Sequence, residues 1–338
     1  MPNQHTSRRQ FLRQTFAFSA LTATGTLSHA FAQPVDPHAQ HILMIGDWGA
    51  EDMTRGQQQV AASMVSYAQK NALKPQSLFM LGDTWYGDLD GGASSQRWDT
   101  QFEKLYPASA FPGPAYTIAG NHDYQHMPAT VNKLHAELDY AKTGKSRWTM
   151  PARWYTFDVA TPDHKPLLHV IATDTNAPHA IKPTDKVNFT LSEEDWHEQT
   201  QWLAAELAKP TKAPFTIVLG HHPIYSNGPH GDHARLIADW EPMIRQHKVS
   251  AYLAGHDHDL QHLEFADHPT SFVCSGAGGA DLYDIKIDEK QRGPYAHKVH
   301  GFTHLEATPK AMTFRHIDDK GQLVHAFTKA RDGKVTIL

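Results

Sequence analysis

The sequence predicts an α/β fold built as one domain, with a sheet that can fold into two facing layers. Three observations predict it. Short apolar runs recur along the chain, separated by segments with helical spacing, which is the pattern of a mostly parallel sheet covered by helices. Five of these runs stop at a glycine followed by Asp, Asn or His, and ligands of open α/β sheets gather where strands end. No fixed-period repeat and no low-complexity linker divides the 338 residues.

The first 32 residues read as an export signal. Ser7-Arg8-Arg9-Gln10-Phe11-Leu12-Arg13 resembles a twin-arginine motif, small and apolar residues run from Phe16 to Leu27, and Ala30-Phe31-Ala32 fits an A-x-A cleavage site. A basic helix start arising by chance is the alternative. Cleavage after Ala32 would release residues 33–338 as a single domain, periplasmic or secreted. No run of 18 or more apolar residues occurs, so no membrane span is expected. The net charge of −5, without long like-charge runs, suggests neither nucleic acid nor anionic membranes. The lone Cys274 excludes an intrachain disulfide and a thiolate zinc finger, so any metal must take oxygen and nitrogen ligands.

Within 33–338 the first strand candidate is 41–45, followed by Gly46-Asp47-Trp48-Gly49. A helix is expected over 54–70. The apolar run 77–81 ends at Gly82-Asp83-Thr84-Trp85-Tyr86, and 95–105 reads as helical. Strand 115–119 ends at Gly120-Asn121-His122-Asp123, and 167–172 ends near Asp174. Ser192 caps a helix over 192–208, with Glu193 and Glu194 in its first turn. Strand 215–219 precedes Gly220-His221-His222-Pro223, and a helix covers 232–247. Strand 250–253 precedes Gly255-His256-Asp257-His258. Segments 303–306, 312–317 and 323–327 alternate as antiparallel strands do.

The strand ends supply seven candidate ligands: Asp47, Asp83, Tyr86, Asn121, His221, His256 and His258. A carboxylate has two oxygens and can bridge two cations. A phenol, with a free pKa of about 10, becomes an anionic ligand only beside a strongly charged cation. Seven ligands with one bridge make two sites of four, with positions left for water and substrate. Two cations about 3.5–4 Å apart are the usual device for hydrolysing a phosphate ester. Of the 25 histidines, most are expected to be surface residues; only those at glycine-bounded strand ends are candidates for chemistry.

In order, Asp47-x-Gly49, Gly82-Asp83-x-x-Tyr86, Gly120-Asn121-His122-Asp123, Val218-x-x-His221 and Gly255-His256-x-His258 resemble the five motifs of the purple acid phosphatases, within the calcineurin-like metallophosphoesterases. The likeness is to the single-domain, tartrate-resistant animal type. Arg147-Trp148-Thr149-Met150-Pro151, Ser275-Gly276-Ala277-Gly278 and Gly301-Phe302 extend it over nearly all of 42–327. Tyr86 discriminates, because most of the wider superfamily lacks a tyrosine ligand.

The resemblance implies a β-sandwich of two facing mixed sheets flanked by helices (αββα). It implies hydrolysis of phosphate monoesters, on small molecules or phosphoproteins, by a metal-activated hydroxide. Asp47, Tyr86 and His258 would hold Fe(III). Asn121, His221 and His256 would hold a divalent iron, zinc or manganese, with Asp83 bridging. His122 and His230 would contact the phosphate, and one would protonate the leaving oxygen; the plainer reading is two loop histidines. His222, Asp123, Asp257 and Asp259 either accept an N–H from a ligand imidazole or face solvent. Trp48 and Trp85 either pack in the core or wall the cleft. A phosphodiesterase of the same superfamily and a non-catalytic metal or phosphate binder are the alternatives. Some features depart from the animal type. There is no cysteine pair, His222 replaces an aromatic, and 176–191 differs from the loop that caps that active site. The first motif also lies close behind the cleavage point, unlike the two-domain plant type.

Overall fold

A computed structural model describes residues 34–51, 55–127, 132–178 and 190–338, so the export-signal reading of 1–32 lies outside the described residues. The strands in chain order begin with β1 (Gln40–Ile45), β2 (Ser77–Met80), β3 (Ala115–Thr117), β4 (Trp148–Thr149) and β5 (Tyr155–Ala160). Then come β6 (Pro166–Ala172), β7 (Phe215–Leu219), β8 (Ala251–Ala254), β9 (Leu260–Leu263) and β10 (Ser271–Ser275). The last are β11 (Pro294–His297), β12 (Gly301–Ala307), β13 (Ala311–Asp318), β14 (Leu323–Ala330) and β15 (Val335–Ile337).

They form two sheets. One has the order β15-β14-β13-β12-β1-β2-β3-β4, the other β11-β9-β10-β8-β7-β6-β5. Each has a parallel centre, β1 to β4 in one and β6, β7, β8 and β10 in the other. Each is flanked by antiparallel strands. The mostly parallel layer expected from the apolar runs is instead a pair of mixed sheets: β12 joins β1 antiparallel from far along the chain and carries β13 to β15 with it, and hairpin partners flank the other centre. Ile42 and Met44 of β1 pack with Ile217 and Leu219 of β7 in the core between the sheets. Leu43, Ile45 and Val218 point the other way, into the helix-covered core. Central strands buried on both faces read as continuous apolar runs, which is why they were legible.

The helices are α1 (Arg55–Lys70), α2 (Lys133–Lys142), α3 (Glu193–Ala208), α4 (Ala234–Asp239) and α5 (Glu241–Gln246). Val60, Ala61 and Met64 give α1 its buried stripe. Ser192 caps α3 by accepting from the Asp195 N–H at 3.0 Å. The helix expected over 232–247 is two short ones, broken at Trp240 ahead of Pro242. Trp240 instead stacks on Trp196 of α3 at 4.6 Å. The segment expected to be helical over 95–105 contains a π-helix, Trp98–Glu103.

Candidate dinuclear metal centre

The loops after β1, β2, β3, β7 and β8 meet at one edge of the sandwich. Backbone bonds tie them together: Asp47 N–H donates to Gly82 O at 3.0 Å, Tyr86 N–H to Gly49 O at 2.9 Å, and Gly255 N–H to His221 O at 3.0 Å. Asp47, Asp83 and His256 have φ of 58°, 48° and 69°. Left-handed backbone at a non-glycine residue costs of order 1–3 kcal/mol and gathers at functional sites. Here it turns each chain sharply off its strand and aims the side chain inward.

The Tyr86 Oη lies 3.2 Å from Asp47 Oδ1, 3.1 Å from Asp83 Oδ2 and 2.9 Å from His258 Nε2. One phenol carries one proton, yet three acceptors crowd it. Donor atoms of Asp47, Asp83 and His258 also lie within 4.8 Å of one another. On the other side of Asp83, His221 Nε2 is 3.4 Å from Asp83 Oδ1 and 3.2 Å from Asn121 Oδ1. His221, His222 and His256 form a second group within 4.8 Å. Asp83 thus lies between the two groups, where a bridging carboxylate belongs. Two carboxylates, a phenol, an amide oxygen and imidazoles are the donor set of hard and borderline cations, so the residues fit a metal pair.

The imidazoles are oriented for it. His221 donates Nδ1–H to Leu81 O at 2.8 Å, and His258 donates Nδ1–H to Asp281 O at 2.6 Å. Carbonyls only accept, so Nε2 is the ligating nitrogen in both. Asp47 takes the His256 N–H at 2.8 Å and Asp83 takes the His122 N–H at 2.7 Å.

Burial raises the Asp47 carboxyl, partly offset by His221 and His258. Burial, then the charges of Asp83 and Asp47, hold the Tyr86 phenol well above its ordinary value. Burial also opposes ionisation of Asp83, but His221 overcomes it and holds that carboxyl low. For His221 burial works downward, yet Asp83 and Asp47 push it up to about 10. A cation entering here displaces these protons.

The sequence-expected contacts divide. His122 packs on Tyr86, rings 4.4 Å apart, and His230 on His256, 4.1 Å apart, so the two sit at opposite ends of the pair. Asp257, fully buried, accepts from His230 Nδ1 at 2.6 Å and from the Ser226 hydroxyl. Asp123 neither serves an imidazole nor faces solvent: it accepts from the N–H groups of Thr84, Trp85 and Gly120. Asp259 is also buried, and accepts from Gln261. Trp48 and Trp85 are core residues, their rings 5.5 Å apart. His222 lies beside His221 and His256, with a ring nitrogen within 4.8 Å of theirs, and its Nδ1 is 3.0 Å from the Thr175 hydroxyl. Sequence reasoning missed Tyr283, stacked on His258 at 4.0 Å, and the carbonyls of Leu81 and Asp281, which carry no side-chain signal.

Residues 40–260 match the calcineurin-like phosphoesterase family. The chain belongs to that family. It is thus a hydrolase of the metallophosphoesterase superfamily. This phosphoesterase is 28% identical over 300 residues to mouse tartrate-resistant acid phosphatase type 5, covering 83% of this chain and 87% of the relative. It is 26% identical over 336 residues to purple acid phosphatase 17 of Arabidopsis thaliana, covering 94% and 92%. Among solved structures, yellow lupin purple acid phosphatase PPD1 superposes with a TM-score of 0.60 at 19% identity, covering 87% of this chain and 54% of that one. GAP50, described as the anchor in the inner membrane complex of Plasmodium, superposes with a TM-score of 0.67 at 22% identity, covering 85% and 87%. These two superpositions establish the αββα fold.

Proposed function

We propose that this protein is an acid phosphatase that hydrolyses phosphate monoesters at a dinuclear Fe(III)–M(II) centre, M being iron, zinc or manganese. The observation that carries the reading is the Tyr86 oxygen within 3.2 Å of Asp47, Asp83 and His258. Asp47, Tyr86 and His258 make the more anionic, harder set and would hold the trivalent ion. Asn121, His221 and His256 would hold the divalent ion, with Asp83 available to both sites. When bound, the metals supply Lewis acidity that activates water and neutralises charge developing on the ester.

The chain's own residues do the rest. His122 and His230, at the two ends of the pair, contact the phosphate oxygens and the leaving group. The bond from its Nδ1 to Asp257 fixes the His230 ring, so Nε2 is the atom at which it holds and releases a proton. As a water oxygen bonds to phosphorus and gives up its proton to solvent, the ester P–O bond breaks, and its electron pair goes to the departing oxygen, which takes the proton from His230. Substrates are small phosphate esters or phosphoproteins. Residues 7–13 support export by the twin-arginine machinery to the periplasm or beyond, which carries proteins already folded around their cofactors.

Metal analysis and a visible spectrum on purified protein, with hydrolysis of p-nitrophenyl phosphate and its bis-ester, test the reading. Two metals per chain including iron, a purple band, and faster monoester cleavage at acid pH are expected. Faster diester cleavage would make it a phosphodiesterase. Bound metal without turnover would make it a binding protein. Tartrate is expected to leave the activity intact.

A further inference from the structure

Three side chains that bind no metal form a line into the cleft: Lys133, Gln125 and His122. Lys133 is 1% exposed at the start of α2. Its ammonium donates to Trp85 O at 2.6 Å, Gly87 O at 2.9 Å and Gln125 Oε1 at 2.8 Å. Three donors meet three acceptors, and the two carbonyls flank Tyr86. A lysine ammonium can only donate, so the Gln125 side chain must present its oxygen to it. The amide NH2 is then turned the other way, and its Nε2 lies 2.8 Å from His122 Nδ1. An amide NH2 also only donates. His122 Nδ1 must therefore accept, and the ring's proton sits on Nε2.

The local backbone sets this up. His122 opens the 3₁₀ turn His122–Tyr124, and Gln125 is its C-cap residue. Side chains three apart on such a turn lie one over the other. At His230 the polarity is reversed, because the Asp257 carboxylate accepts from Nδ1.

We propose that Lys133 is a positioning residue that acts through Gln125 to hold His122 as its Nε2–H tautomer, so that His122 meets bound phosphate as a hydrogen-bond donor. This rests on the phosphatase reading. The opposite tautomer would turn a nitrogen lone pair toward an anionic phosphate oxygen, and repulsion would replace attraction.

Gln125→Glu tests the proposal. It keeps the side-chain length and the Lys133 contact, but puts an acceptor against Nδ1. In the full chain loaded with zinc, a diamagnetic ion, ¹⁵N NMR of the His122 ring should show the proton moved from Nε2 to Nδ1. Calorimetry with inorganic phosphate should show binding weakened roughly 10- to 100-fold, the usual scale for losing an orienting partner. In a His122→Ala background the same substitution should change phosphate binding little. An unmoved proton, or an equal loss without His122, overturns the proposal. If Gln125→Glu fails to fold, Gln125→Met removes the donor and should mix the two tautomers; a pure Nε2–H ring in that variant overturns it equally. Tautomer and phosphate binding are both read without turnover, so a protein that binds phosphate but hydrolyses nothing sinks the functional reading and leaves this one standing.

Discussion

Burial, then the charges of Asp83 and Asp47, push the Tyr86 phenol upward and so keep its proton in place. Only a cation that takes the proton's place turns it into an anionic ligand. Tyr86→Phe should therefore abolish the visible band of the metal-loaded protein, and the spectrum of the purified variant checks this. An unchanged spectrum would refute a phenolate–iron bond. Asp257 acts at the other end of the centre. Asp257→Asn replaces the oxygen that accepts from His230 with an amide that can present a donor. We expect kcat to fall roughly 10- to 100-fold with metal content unchanged. The loss should be larger for an alkyl phosphate than for p-nitrophenyl phosphate, because the poorer leaving group needs the proton more. Equal losses on both substrates would remove His230 from proton transfer.

The strand-end loops explain why glycines recur beside the ligand candidates. A Cβ on Gly49 would stand 1.5 Å from Thr84 O, and one on Gly120 would stand 2.2 Å from Asp83 Oδ1. These loops lie against one another with no room for a side chain. Gly49→Ala should push the Asp47 loop off the Tyr86 loop and lower both metal content and melting temperature. Metal analysis with thermal unfolding checks it; full metal occupancy would show that the loops yield. The same close packing made the site legible in sequence, since the glycine, the ligand and the preceding apolar strand are contiguous. What was not legible was held by pairing rather than by apolar content. β5 alternates exposed and buried residues at a sheet edge, and β4 is two residues long. α2 draws its N-terminus from Asn132, whose side chain accepts from the His135 N–H, inside a stretch that reads as polar loop. Lys133, at its start, is a buried lysine, and nothing in the spacing of its neighbours marks it as one. Sequence alone left Asp123, Asp257 and Asp259 interchangeable, because only the fold decides which backbone or imidazole N–H each one meets.

At the scale of the whole molecule, histidines away from the centre are the larger surprise. They were expected at the surface, yet His262, His304 and His316 are at most 1% exposed in the sandwich strands. His304 sits between His41 and Tyr67, His316 between Thr303 and the Gln261 carbonyl, and His262 between His325 and Glu264. A neutral imidazole both donates and accepts, so each ring can be satisfied in the core by one donor and one acceptor without carrying a charge. The consequence is a dependence of stability on pH. Burial holds all three rings well below their ordinary value. The unfolded chain therefore binds protons near pH 6.5 that the folded chain does not. Their contribution is fully present above that pH and is lost as the pH falls toward the folded values. Each such ring can remove up to about 1.4 kcal/mol per pH unit below 6.5. Chelator-treated protein should thus melt at a lower temperature at pH 5 than at pH 7, and His304→Gln should flatten that slope while lowering stability at pH 7. A slope unchanged by the substitution would place the acid sensitivity elsewhere. Metal ligation favours the native state as any bound ligand does. The loaded protein should therefore melt above the chelated one at both pH values, so that an enzyme working in acid depends on its metals for the fold as well as for the reaction.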